Sequence, residues 1–125
     1  MTGLLLDTHV VMWWALADSR ISARWLEAIA APENSVVMSV ATVWEVEVKK
    51  RSGKLDFDQD MIELAAEYGF DLLSIGPDDA RLAGSLDWEH RDPFDRMLAA
   101  QAANRALTLI TADSALLLAP GVRFL

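Results

Sequence analysis

The chain has 125 residues, 53% hydrophobic and 24% charged, which fits one globular domain over 1–125 with a core of its own and excludes a disordered segment. It has no cysteine, which excludes disulfides, thiolate zinc sites and thiol catalysis and fits a reducing, cytoplasmic setting. Nineteen acidic against eleven basic residues give a formal charge of −8, a balance that argues against tight, sequence-blind binding to long duplexes.

The chain begins without a basic leader, and no uncharged apolar run is long enough to cross a bilayer, so neither secretion nor a membrane location is expected. Gly3-Leu4-Leu5-Leu6 reads as a short buried strand with Asp7 at its end. Val10 to Ala17 carries apolar residues at helical spacing. Its adjacent Trp13 and Trp14 cannot share one buried stripe, which makes one of them a candidate for a partner interface. Ser22 is positioned to cap a second helix through about Ala31. A loop at Pro32-Glu33-Asn34 leads into a strand at Val36 to Met38, and Ser39 is positioned to cap the next element.

From Val43 to Ser52 two patterns compete. Valines alternate with charges as in a strand, whereas the length of the segment and Gly53 at its end favour a helix, and helix is the expectation. In a helix Glu45 and Lys49 share a face, either as a surface ion pair or with Glu45 turned into a cleft. Met61 to Tyr68 reads as a helix ended by Gly69, Phe70 to Ile75 as a third parallel strand, and Gly76-Pro77 as the start of another helix.

Asp92 is a good N-cap, Pro93 suits the first helical position, and Asp95 stands three residues after the cap. Taken alone, this is a capping box in which Asp95 reaches back to the cap amide. Leu107 to Thr111 reads as a strand just before Asp113, succeeded by a short helix through Leu118, a Pro120-Gly121 turn and a last strand at Val122 to Leu125. Strands alternating with helices imply an α/β fold, a three-layer α/β/α sandwich around a mainly parallel sheet.

Asp7 and Asp113 lie just past strand ends, Glu45 lies beyond the second strand, and Asp95 opens a helix. Ligands of open parallel sheets bind beyond the carboxyl ends of the strands, so such acids tend to converge. Carboxylates crowded into one cleft resist ionising unless a cation sits among them, and oxygen-only ligation favours Mg²⁺ or Mn²⁺. His9 and His90 do not form a convincing metal pair. His9 fits packing near a strand end, and His90 a polar loop before a helix.

Four segments, in this order, resemble the motifs of PIN-domain ribonucleases, and most closely the VapC toxins of bacterial toxin–antitoxin pairs. They are Leu4-Leu5-Leu6-Asp7-Thr8-His9, Ser39 through Glu45, His90 through Ala102, and Leu109-Ile110-Thr111-Ala112-Asp113. The resemblance covers essentially the whole chain. Its most specific part is Asp92-Pro93-Phe94-Asp95-Arg96 with Leu98-Ala99-Ala100-Gln101-Ala102 after it. It implies that Asp7, Glu45, Asp95 and Asp113 are an acidic quartet and that Thr111 is a supporting hydroxyl, with Asp92 a further acid beside them as well as a cap. It also implies an endoribonuclease that holds Mg²⁺, or Mn²⁺, chiefly on Asp7 and Asp95 and cleaves RNA with a metal-activated water. The implied partners are a small VapB-like antitoxin whose tail lies across the cleft and a second copy in a homodimer.

The basic residues Lys49, Lys50 and Arg51, with Arg96 at the helix opening, read either as solvated helix ends or as groups that steer RNA. Two other classes stay open. A phosphohydrolase or phosphoacceptor would use Asp7 as nucleophile, although His9 stands where the haloacid-dehalogenase pattern wants an acid and Ile75-Gly76-Pro77 supplies no receiver-type phosphoacceptor. A catalytically silent binding module is the other, and the intact quartet speaks against it.

Overall fold

A computed structural model describes residues 2–125; Met1, the first residue of the expected 1–125 span, lies outside the described residues. Five strands form one sheet in the order β3-β2-β1-β4-β5, and every neighbouring pair is parallel. The strands are β1 (Gly3–Leu6), β2 (Ser35–Ser39), β3 (Asp71–Leu73), β4 (Thr108–Ile110) and β5 (Arg123–Phe124). The helices are α1 (Thr8–Ala15), α2 (Ala23–Ala30), α3 (Val40–Arg51), α4 (Met61–Tyr68), α5 (Pro77–Ser85) and α6 (Pro93–Arg105).

Alternation along β1 divides the core into two layers. Leu4 and Leu6 face one side, where they join Val36, Met38 and Ile110 under Val10, Val11 and Val46 and the α4 residues Met61 and Leu64. Leu5 faces the other side with Leu109, under Leu98, Ala99 and Ala102 of α6 and Leu116 of a short 3₁₀ turn. This is the three-layer sandwich expected from sequence. The alanines of α6 let that helix lie close on the sheet.

The competing patterns of residues 43–52 resolve as helix. Ser39 Oγ accepts from the Ala41 amide to start α3, and Gly53 leaves it at a positive φ of 77°. Gly69 ends α4 in the same left-handed way, as its spacing predicts. The third strand is shorter than the expected Phe70–Ile75. It sits at the sheet edge with β2 as its one neighbour, and β2 ends at Ser39, opposite Leu73, so Ser74 and Ile75 have no strand to pair with.

Because the chain runs outward through β1, β2 and β3 and then returns to β4 beside β1, the strand order reverses between β1 and β4. That crevice is where such sheets bind ligands.

Candidate active site

Leu6 and Ile110 are register partners, so the residues after them leave the sheet side by side. The Asp7 amide donates to the Ile110 carbonyl at 3.1 Å, and the Thr111 hydroxyl donates to Asp7 Oδ2. Asp7 Oδ1 accepts from the Val10 amide at 3.0 Å, so this acid also caps α1. Asp7 is 5% exposed. Burial pushes its carboxyl above the ordinary value, against the opposing pull of the Thr111 hydroxyl, the Val10 amide and the His9 charge.

Glu45 approaches from α3 and is equally buried. The Thr8 hydroxyl donates to Oε1 at 2.6 Å, and Lys49 Nζ lies 2.6 Å from Oε2. The two roles weighed for Glu45 are therefore not alternatives: it pairs with Lys49 and does so inside the cleft. Burial alone would lower the Lys49 ammonium, but Glu45 and the more distant Asp92 and Asp95 hold it above its ordinary value.

At the start of α6, Asp92 Oδ1 accepts from the amides of Phe94 and Asp95 at 2.9 and 3.1 Å. The reciprocal half of the expected capping box does not form. Asp95 Oδ2 instead lies 2.7 Å from His90 Nε2. Burial raises the Asp95 carboxyl to about 6, helped by the charges of Asp92 and Asp113 and opposed by His90. Asp113 caps the 3₁₀ turn through Oδ1, which accepts from Ala115 and Leu116, while its own amide donates to Thr111 Oγ1 at 3.0 Å.

Asp7, Glu45, Asp95 and Asp113, together with Asp92, line one cavity of about 70 Å³, with Thr8, His9 and Lys49 completing its wall. That is room for a few waters or a hydrated ion. Five carboxylates face one ammonium there, and two of the acids have raised pKa values from burial, so the cavity lacks compensating charge. Its donors are oxygens of the kind a hard divalent cation takes, and in chemistry the residues fit such an ion. Among the described residues no three His, Asp or Glu side chains are drawn close enough to hold a metal between them. Thr8, Lys49, His90 and Thr111 each hold a carboxylate oxygen in its present direction.

A family model described as PIN domain matches residues 4–121. The chain belongs to the PIN domain family. Its fold is shared with solved toxin–antitoxin structures. Against VapBC2 from Rickettsia felis, solved with a promoter DNA fragment, the identity is 16% over 99% of this chain and 98% of that one, with a TM-score of 0.72. Against VapBC-1 from nontypeable Haemophilus influenzae it is 17% over 99% and 97%, with a TM-score of 0.70. A toxin–antitoxin complex from Klebsiella pneumoniae gives 25% identity over 95% and 94%, with a TM-score of 0.65. No curated protein matches the chain.

Within this PIN domain the expected steering residues part company. Lys49 lines the acidic cavity, but Lys50 turns to the 55–60 loop, donating to the Gln59 carbonyl at 2.7 Å and lying 5.8 Å from the Phe57 ring centre. Arg51 is exposed at the end of α3, away from the cavity wall. Arg96 is anchored in the fold: its guanidinium donates to the carbonyls of Ala83, Leu86, Trp88 and His90 at 2.7 to 3.0 Å, so it binds the chain before α6.

The adjacent Trp13 and Trp14 are both partly buried. Trp14 packs on Tyr68 and Phe70, and Trp13 lies between His9 and Arg20. The exposed indole is Trp44, 57% accessible and edge-on to Phe94 at 4.8 Å.

Sequence reasoning missed the contacts of Thr8 with Glu45 and of His90 with Asp95. Thr8 carried a signal, since it comes directly after Asp7 at the strand end. His90 carried none beyond its nearness to α6.

Proposed function

We propose that this PIN domain, one unit over 1–125, is a metal-dependent endoribonuclease acting in the cytoplasm as the toxin of a toxin–antitoxin pair. The observation that carries the reading is the convergence of Asp7, Glu45, Asp95 and Asp113, from four separate parts of the chain, on one cavity at the reversal of strand order. Asp7 and Asp95 are the residues that would hold Mg²⁺, or Mn²⁺ in its stead, with Glu45 and Asp113 supporting its waters. Such an ion, when bound, makes a water more acidic and steadies the oxygen that leaves phosphorus.

The chain's own groups prepare that site. Thr111 and the Val10 amide fix both Asp7 oxygens, which suits a ligand better than a nucleophile and disfavours the phosphoacceptor alternative. Lys49 offsets the buried Glu45 charge and is the basic side chain on the cavity wall that can meet an RNA phosphate. The partner is a VapB-like antitoxin, since similar structures come from VapBC complexes, and a cationic tail would complement the acids. A homodimer would cover the exposed Trp44 and Val48 on α3.

Mapping RNA ends after brief expression tests the reading. New, discrete ends should form with the wild-type chain and be lost with Asp7→Asn. Identical end patterns from the two chains would refute it.

A further inference from the structure

The acid at the start of α6 is held by a residue that the chain goes to some length to deliver. Between α5 and α6, residues 86–92 contain no helix or strand, and their path is set by Arg96. Its Nε donates to the Ala83 carbonyl at 2.7 Å and its Nη2 to Leu86 at 2.8 Å. Nη1 serves both Trp88, at 2.7 Å, and His90, at 3.0 Å. One guanidinium thus collects four carbonyls, and the last of them belongs to the residue whose side chain meets Asp95. The Trp88 ring lies 4.9 Å from the His90 ring and 5.9 Å from Arg96 Cζ, closing the loop on itself.

We infer that His90 is a positioning residue for Asp95, presented by a loop that Arg96 organises, and that this assembly sets the affinity of the acidic cavity for a divalent cation. The inference rests on the metal-dependent reading above. His90 Nε2 engages Asp95 Oδ2, and among the described residues no hydrogen bond is made to Oδ1. A carboxylate tethered through one oxygen keeps its rotamer and offers the other to a ligand. Groups that orient a ligand in this way typically change metal affinity by about 10–100-fold when removed. Arg96 is the next residue after Asp95 on the same helix, so its anchoring of the loop and the placement of the acid share one rigid element.

Mn²⁺ titration of the purified chain by calorimetry, at one pH, tests this without any nuclease assay. Wild type should bind Mn²⁺ and Asp95→Asn should not. His90→Ala should bind about tenfold more weakly or worse, whereas His90→Gln, which keeps a donor near the Nε2 position, should stay within about threefold of wild type. Arg96→Met should match His90→Ala, and the double variant should bind no more weakly than either single, because the two act as one unit. Unchanged affinity in His90→Ala overturns the positioning role while leaving the metal reading standing, as does a His90→Gln chain that binds as poorly as His90→Ala. A wild-type chain that binds no Mn²⁺ overturns both. If Arg96→Met does not fold, the two His90 variants decide the matter alone.

Discussion

Lys49 Nζ stands 2.6 Å from Glu45 Oε2, so an ammonium on the wall of a cavity lined by five carboxylates is already claimed by one of them. The pair is asymmetric: the Glu45 side chain is 6% exposed and the Lys49 side chain 35%. Removing the lysine strands a buried charge. Lys49→Met should cost about 1–2 kcal/mol, below the usual figure for a broken buried pair because Lys49 is partly solvated. Added Mn²⁺ should raise the unfolding midpoint of Lys49→Met more than that of wild type, since a cation stabilises whichever state binds it. Equal shifts in the two proteins would show that Lys49 does not oppose binding of the ion.

Asp95 makes a pH prediction. Its carboxyl is raised to about 6 by burial and by Asp92 and Asp113. An unfolded Asp loses its proton near pH 4, so between about pH 4 and 6 the folded state binds more protons and stability falls as pH rises. Above about pH 6 the full penalty persists. Asp95→Asn should therefore be more stable than wild type by about 1–2 kcal/mol at neutral pH and no more stable near pH 4. Denaturant unfolding at the two pH values measures this, and a gap of equal size at both would count against a strained acid.

Asp79 behaves in the opposite way. It is 1% exposed and meets Arg105 Nη1 and Nη2 at 2.5 and 2.8 Å, the Asn104 amide at 3.0 Å and the Gly76 amide at 2.8 Å. The Arg105 hydrogen bonds hold its carboxyl well below the ordinary range. The stability it contributes is present above the unfolded value, near pH 4, and is lost as pH falls through the folded one. Asp79→Asn should cost about 3 kcal/mol at neutral pH, and the difference should shrink steadily below about pH 4. A loss that does not change with pH would assign the cost to packing.

Trp44 is the exposed tryptophan, on a helix that also exposes Val48. If a second copy covers this face, Trp44→Asp should shift the mass measured by light scattering from dimer to monomer. It should cost the single chain only about 1 kcal/mol through the lost contact with Phe94. A dimer that survives the substitution would move the interface elsewhere.

The strand-end acids are legible in the sequence because two simple rules act together. Apolar runs mark β1 and β4, and parallel sheets bind ligands past their carboxyl ends, so residue pattern alone gives Asp7 and Asp113 a location. The cap at Asp92 is legible for the same local reason. What Asp95 does with its carboxylate is not. The capping box and the His90 contact are both short-range options, and the choice depends on a loop whose path is set by Arg96, a residue whose charge suggests RNA instead. Thr8 and Glu45 are 37 residues apart and meet only because α1 and α3 pack together. The strand at Asp71–Leu73 falls short of its apolar run because its edge position and the end of β2 at Ser39 are tertiary facts that the pattern does not carry.

The most direct measurement is cleavage of a single-stranded RNA by the purified chain, with Mg²⁺ and with EDTA, set beside Asp95→Asn shown by circular dichroism to be folded. Cleavage should require Mg²⁺ and should vanish in Asp95→Asn. Cleavage at the wild-type rate in EDTA, or by the folded Asp95→Asn chain, would contradict the assignment of this acidic cavity as the catalytic centre.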